Sequence, residues 1–119
     1  MVAVVATDAR DAAALFLVRS SDGLFGGLYG LPACEGEGSD VARAALAGAG
    51  LTATLERAPA GEVVHVLTHR RQHVEVWRAS MARAKRRAKD TRSVRRDALD
   101  RIGSARLTHK LLACAARDL

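Results

Sequence analysis

Short apolar runs separated by turn residues constrain this chain more than any other feature. Val2 to Thr7 is rich in β-branched residues, and Leu15 to Val18 is a second apolar run, with the polar stretch Asp8 to Asp11 between them. This pattern predicts a β-hairpin over residues 2–18. Three further runs are typical of strands, namely Leu51 to Leu55, Glu62 to His69 and Gln72 to Ala79.

Helix-forming segments alternate with these predicted strands. Ser39-Asp40 is a candidate N-cap for a helix over Val41 to Ala49, and Gly50 stands where a C-cap glycine belongs. Asp97 to Ile102 predicts a short helix, and Ala105 to Arg117 predicts a C-terminal helix with one apolar face. With 119 residues, the chain is predicted to be a single α+β domain, a mixed sheet sandwiched by helices.

Several protein classes are excluded by simple counts. No apolar stretch approaches the length of a transmembrane helix, and Met1 to Arg10 lacks the basic start of a secretory signal. Cys34 and Cys114 are too few for a disulfide scaffold and have no metal-site spacing. We therefore expect a cytoplasmic protein with no membrane partner, metal or organic cofactor, associated with the nucleoid if it binds DNA.

The positive charge is concentrated in the last third of the chain. Residues 1–80 hold 7 Lys/Arg against 9 Asp/Glu, whereas residues 81–119 hold 12 against 4. Such a patch attracts polyanions, although an arginine-rich and alanine-rich composition or a solvated linker explains it equally well. We interpret residues 81–97 as a basic loop or linker within the domain. Its densest charges are Arg83, Lys85, Arg86, Arg87, Lys89, Arg92, Arg95 and Arg96.

The first segment with possible chemistry is the glycine-rich stretch from Gly23 to Pro32. Glycine permits left-handed backbone conformations and close approach of the backbone to a ligand. No Gly-Lys-Ser/Thr follows, so this is not a phosphate loop. Leu24, Phe25 and Tyr29 are predicted to anchor the loop on the core or beside a groove.

The second segment with possible chemistry contains three histidines. His65, His69 and His73 recur every four residues, which on a helix would form a metal stripe, but the β-branched content predicts strands. Arg70-Arg71 is predicted to lie between two strands, in a turn that is either tight or wider than two residues, because arginine is poorly suited to a positive φ. Thr68 would then cluster with His69 and the arginines at one rim of the sheet. This rim is either an ordinary polar hairpin end or a site for a nucleobase edge or a phosphate.

Together these segments resemble the C-terminal domain of MutY-type adenine DNA glycosylases, a relative of the Nudix fold. In that family a strand leads into a Gly-Leu-x-Gly-Gly-Leu-aromatic loop that ends in Pro, which corresponds to Leu15 to Arg19 and Gly23 to Pro32. A later His-x-Phe-Ser/Thr-His strand end corresponds to His65 to His69, and the last helix corresponds to Leu107 to Leu112. The resemblance covers nearly the whole chain and implies a Nudix-like mixed sheet between helices.

The resemblance also implies a role in base-excision repair. Family domains of this type help to recognise 8-oxoguanine opposite adenine, while a separate helical domain excises the adenine. By position, Leu67 would wedge or stack, Thr68 would hydrogen-bond the purine edge and His69 would position it. Leu67 stands where the family usually has Phe. A hydroxyl both donates and accepts, which suits the N7–H donor and O8 acceptor of 8-oxoguanine.

The implied partners are duplex DNA containing 8-oxoguanine and a glycosylase catalytic domain in cis or in trans. The chain has no helix-hairpin-helix sequence and no catalytic acid pair, so no catalytic residue is assigned. The predicted contacts to the DNA backbone are Arg70, Arg71, Arg83, Lys85, Arg86 and Arg87.

Two alternatives remain open. The Nudix pyrophosphohydrolase signature is Gly-x5-Glu-x7-Arg-Glu-U-x-Glu-Glu-x-Gly-U, where U is apolar and the carboxylates hold Mg²⁺. Anchored on Gly50-Leu51, Arg43 falls on the signature arginine and Glu35 on its first glutamate. The three later glutamate positions hold small residues, Ala44, Ala47 and Gly48. The other alternative is a protein-interaction module.

We predict that the isolated chain releases no adenine from a duplex in which adenine is opposite 8-oxoguanine, because it lacks the catalytic domain. A glycosylase assay checks this, with a complete adenine glycosylase as the positive control. Release of free adenine by this chain would contradict the prediction.

Overall fold

The computed structural model describes residues 1–19, 29–67, 70–86, 88–101 and 112–114. Its strands are β1 (Val2–Asp8), β2 (Asp11–Arg19), β3 (Tyr29–Gly30), β4 (Ala33–Cys34), β5 (Leu51–Leu55), β6 (Gly61–Leu67), β7 (Arg70–Ala84) and β8 (Thr91–Arg95). The helices are α1 (Ser39–Gly48) and a 3-10 helix (Arg96–Arg101), and residues 112–114 are also helical. No helix among these residues is long and apolar enough to cross a membrane.

The strands form one mixed sheet around β1 and β7. These two strands pair in parallel, from Val2 opposite Glu75 to Asp8 opposite Ala82, and all other pairings are antiparallel. β2 pairs with β1 on one side and with β8 on the other, whereas β5 and β6 both lie along the outer side of β7. The predicted β1–β2 hairpin is therefore confirmed.

Two apolar clusters cover the two faces of the sheet, because successive strand residues point to opposite faces. On one face, Val2 and Val4 pack with Phe16, Trp77 and the inner side of α1. The other face carries the second cluster, which is formed by Ala3, Val5, Leu15, Leu17, Leu31, Val74, Val76, Val94, Leu99 and Leu112. The predicted sandwich of a mixed sheet between helices is confirmed.

α1 begins two residues before the predicted start, at Ser39, and ends one residue before the predicted end, at Gly48. Gly38, not Ser39 or Asp40, is the N-cap, and it makes no side-chain capping bond. Its backbone N–H donates instead to Glu75 Oε1 of β7 at 3.1 Å, so a carboxylate from the sheet lies where the helix dipole favours negative charge. Gly50 follows the C-cap with φ +71°, as predicted for a C-cap glycine.

The prediction that residues 81–97 form a basic loop or linker is wrong for most of these residues. β7 continues to Ala84, well past the predicted end at Ala79, and β8 occupies Thr91–Arg95 on the outer side of β2. The extension contains a β-bulge at Met81, whose φ is +55°, where the pairing with both β1 and β5 shifts by one residue. The bulge places Ala82 in the core against α1.

The C-terminal part of the chain is described only in pieces. The short helix predicted over 97–102 is present as the 3-10 helix Arg96–Arg101. Most of the helix predicted over 105–117 lies outside the described residues. Within it, Leu112 is buried in the core, and Cys114 lies beside Gly61 of β6.

We predict that Gly50→Ala lowers the free energy of unfolding by about 2–3 kcal/mol. The left-handed φ disfavours a side chain, and a Cβ at Gly50 would lie 2.7 Å from Ala88 Cβ. Gly48→Ala is the matched control, because Gly48 has nothing within 4 Å of its Cβ position and lies in α1. We expect the free energy of unfolding of the control variant to rise by about 0.5–1 kcal/mol. Urea denaturation measures both, and equal effects of the two variants would contradict the prediction.

Candidate functional site

The outer side of α1 is where the Nudix signature would place its metal-binding carboxylates. Ala42, Ala45 and Leu46 face the sheet and are buried, which leaves the opposite side of the helix in solvent. The residues at the three signature positions on that side are Ala44, Ala47 and Gly48, and all three are exposed. None of them has a side-chain oxygen that could bind a divalent cation.

The carboxylates near the start of α1 do not replace the missing ones. Glu35 and Glu37 are exposed in the loop before the helix, and Asp40 forms an exposed ion pair with Arg43 at 3.3 Å. Over the part of the chain that the structure describes, no three His, Cys, Asp or Glu side chains come together as a metal-binding group. The Mg²⁺ that the family signature implies therefore does not fit the residues present.

Glu75 is a carboxylate that the sequence analysis did not single out. It lies in β7 between the buried residues Val74 and Val76. Its Oε1 accepts hydrogen bonds from Trp77 Nε1 at 2.5 Å and from the Gly38 N–H at 3.1 Å. A glutamate alternating with buried apolar residues in a strand was the signal for such a structural role. Glu75 connects the sheet to the start of α1.

The second candidate region is the β6–β7 ribbon, the pair of strands from Gly61–Leu67 and Arg70–Ala84. Leu67 pairs directly with Arg70, so only residues 68 and 69 separate the two strands. The prediction that Arg70-Arg71 forms the turn is therefore wrong. Arg71 lies inside β7, is paired with Val66 and is exposed.

The predicted lesion-recognition residues fall at this end of the ribbon. Leu67 and Arg70 are the last backbone pair of the ladder, and their side chains lie outside the described part of the structure. Thr68 and His69 also lie outside the described residues. Pairing of the flanking strands therefore fixes the position of the two ends of this connection.

One face of the β6–β7 ribbon carries exposed apolar side chains. Val64 is 44% exposed and Val66 is 67% exposed, although both are large apolar residues. Their cross-strand partners are His73 and Arg71, respectively. His73 Nδ1 lies 2.9 Å from Glu62 Oε1, so the face also carries one exposed polar pair.

The predicted DNA-backbone residues do not form one patch. Arg70 and Arg71 lie at the first end of β7, whereas Arg83 lies at its other end and Lys85 and Arg86 follow it. Arg71 and Arg83 are 12 residues apart along β7 (83 minus 71), which corresponds to about 40 Å at about 3.3 Å per residue. The two groups are therefore about 40 Å apart. Arg87 lies outside the described residues.

Electrostatics at the second end of β7 are shaped by Asp8. Burial raises the pKa of Asp8, but a hydrogen bond from Ser93 Oγ, another from the Arg10 N–H, and the charges of Arg10 and Arg83 together lower it more. The net pKa lies below the ordinary value of 3.8. Asp8 therefore stays ionised at neutral pH and offsets part of the positive charge there.

The glycine-rich loop is described only at its end. Tyr29 lies in β3, pairs with Arg19 and packs against the core cluster that contains Leu31. Leu24 and Phe25, the other predicted anchors, lie outside the described residues. Pro32 is fully buried, and its carbonyl accepts a hydrogen bond from the Val4 N–H at 2.9 Å.

Comparison with solved structures supports the assignment of the fold. The E. coli ORF135 protein has a TM-score of 0.64 at 14% identity, with 98% of this chain and 86% of that chain covered. A Nudix hydrolase from M. smegmatis, RenU, has a TM-score of 0.60 at 21% identity, covering 98% and 84%. A C. elegans Ap4A hydrolase has a TM-score of 0.60 at 12% identity, covering 98% and 94%.

The family is shown by the sequence itself. No curated protein matches the chain. The family model of the NUDIX domain matches residues 2–114, which is nearly the whole chain. The chain therefore belongs to the NUDIX domain family.

Proposed function

We propose that this NUDIX domain is a DNA-binding module that recognises 8-oxoguanine opposite adenine and does not hydrolyse nucleotides. The observation that carries the proposal is the outer side of α1. The helix keeps its place on the sheet, but Ala44, Ala47 and Gly48 occupy the positions where the signature has glutamates. A domain with this fold and without that carboxylate set is better suited to binding than to diphosphate hydrolysis.

Hydrolysis is the competing function, and it is the activity named for two of the similar structures, the M. smegmatis Nudix hydrolase and the C. elegans Ap4A hydrolase. Mg²⁺ would supply charge neutralisation and water activation at a diphosphate. Glu35 and Glu37 precede α1, and the third nearby carboxylate, Asp40, is paired with Arg43. This donor set supports the binding function over hydrolysis.

The recognition site in this proposal is the connection between β6 and β7, with Leu67, Thr68 and His69 as the contacting residues. A two-stranded ribbon has the dimensions to enter the major groove of B-DNA. 8-oxoguanine differs from guanine by an N7–H donor and an O8 acceptor. The Thr68 hydroxyl has both hydrogen-bonding roles and suits this edge. His69 would position the base, and Leu67 would pack against it.

Nearby cations support the proposal that the β6–β7 connection faces the DNA. Arg71 is exposed, lies next to Arg70 at the start of β7 and forms no ion pair with any described carboxylate. Phosphate contacts fix the register of a protein on DNA while base contacts read the sequence. In the proposal, Arg70 and Arg71 hold the backbone beside the base that Thr68 and His69 read.

Excision of the adenine would then come from a glycosylase catalytic domain, in cis or in trans. A second candidate function is docking of such a protein through the open face of the ribbon, and the exposure of Val64 and Val66 favours it. Val64→Thr and Val66→Thr keep strand propensity while making this face polar. If these variants no longer bind the glycosylase catalytic domain but keep their affinity for DNA, that result would indicate the docking function.

We predict that the chain binds a duplex with an 8-oxoguanine:adenine pair more tightly than one with guanine:adenine, and that Thr68→Ala reduces this preference about tenfold. Loss of the hydrogen bonds that one side chain makes to the base weakens the free energy of binding by about 1.4 kcal/mol, which is tenfold in affinity. His69→Ala reduces the preference in the same direction. Fluorescence anisotropy at two salt concentrations measures the affinities.

Thr68→Ser and Thr54→Ala are the controls. Serine keeps the hydroxyl and therefore keeps the preference. Thr54 is an exposed threonine in β5, away from the ribbon end, so its loss leaves the preference unchanged. Equal affinity of the parent chain for both duplexes, or equal loss in Thr54→Ala, would contradict the proposed function.

A further inference from the structure

The connection between β7 and β8 is densely basic, and the structure describes all of it except Arg87. This segment, residues 85–90, is called the basic turn. It holds four Lys/Arg and one Asp, and Arg83 and Arg92 flank it. Lys85, Arg86 and Lys89 are exposed.

Backbone contacts hold the basic turn against the C-terminal end of α1. The Lys85 N–H donates to the Gly50 carbonyl at 2.7 Å, and the Arg19 N–H donates to the Asp90 carbonyl at 2.8 Å. Ala88 lies against Gly50 so closely that a Cβ on Gly50 would be 2.7 Å from the Ala88 Cβ. These contacts hold the described residues of the turn, including Lys85, Arg86 and Lys89, at a fixed place in the fold.

The described cations of the basic turn form no ion pair with a described carboxylate. Ion pairs neutralise Arg43, Arg78 and Arg95, the last with both Asp11 and Asp97. Lys85 and Arg86 form none with the carboxylates that the structure describes. Like charges this close repel one another, so these cations do not stabilise the fold.

A purely structural role does not account for the cluster. One cation near the last carbonyls of α1 is favourable, because the helix dipole is negative there. The bond to Gly50, however, comes from the Lys85 backbone N–H and needs no charged side chain. Arg86 and Lys89 are exposed, form no ion pair with a carboxylate in the described part of the chain, and are available to an external polyanion.

We propose that the basic turn is a second phosphate-binding site, separate from the β6–β7 end, which contacts the backbone of the same DNA duplex. This inference rests on the proposed DNA-binding function. The two ends of β7 are about 40 Å apart, which corresponds to about 12 base pairs at 3.4 Å each. A duplex held at both ends extends at least that far from the recognised base.

Duplex length tests the separation of the two sites. A 10-base-pair duplex with a central lesion extends only about 17 Å to either side, so it cannot reach both sites, whereas a 30-base-pair duplex can. We expect the chain to bind two short duplexes but a single long one. The double variant Lys85→Ala/Arg86→Ala binds one short duplex, and that binding keeps its lesion preference. Calorimetric titration gives the stoichiometries.

Salt dependence provides the second measurement. On the long duplex, the double variant lowers the slope of log affinity against log salt by about 1.8, because each lost phosphate contact removes about 0.9. Arg57→Ala is the control, since Arg57 is exposed on the loop between β5 and β6. An unchanged slope and stoichiometry in the double variant, or an equal slope loss per charge in Arg57→Ala, would overturn the second site.

Failure of the proposed function gives a different result from failure of this inference. If the β6–β7 end does not bind DNA, the parent chain binds one short duplex without lesion preference, and the double variant binds none. That result supports the phosphate site at the basic turn and contradicts lesion recognition.

Discussion

The parallel pairing of β1 with β7 is the interaction on which the rest of the structure depends. β1 has fully buried residues on both faces, with Val2 and Val4 in one core and Ala3 and Val5 in the other. Such a strand is stable only when both faces are covered, which requires α1 on one side and the 3-10 helix with residues 112–114 on the other. β7 is longer than β1 and carries both candidate binding regions at its ends.

The length of β7 also explains why the two basic groups are separate. The bulge at Met81 lets the strand continue beyond Ser80 while Ala82 enters the core beneath α1. Ala82 is fully buried in the cluster that includes the inner side of α1, and the basic residues follow after the strand ends. The fold thereby places the Arg70-Arg71 pair and the basic turn at opposite ends of the molecule.

Local patterns in the sequence predicted much of this architecture, and tertiary pairing decided the rest. Apolar β-branched runs located β1, and the predicted strand Leu51 to Leu55 coincides with β5. The 80–84 segment contains no β-branched residue, yet it is a strand because β1 and β5 provide hydrogen-bonding partners on both sides. The Arg70-Arg71 turn was wrong for a related reason, since strand register depends on the partner strand.

The sequence was sufficient to predict which residues occupy the candidate site but not which of them are in contact. The missing glutamates at Ala44, Ala47 and Gly48 could be read from spacing alone, whereas the capping role of Glu75 could not, because Gly38 and Glu75 are 37 residues apart. Their contact exists only after α1 packs on the sheet. A carboxylate that sequence reasoning would treat as a free acid is thus committed to holding the helix.

The central claim is that this NUDIX domain binds nucleic acid through its surface and has lost the chemistry of its metal-binding helix. The most direct test is release of nucleoside monophosphate from nucleoside triphosphates and dinucleoside polyphosphates in the presence of Mg²⁺, with a Nudix hydrolase as the positive control. We expect no release above the protein-free background. Mg²⁺-dependent release that scales with the concentration of this chain, and that is lost when Glu35 and Glu37 are changed to Gln, would contradict the account.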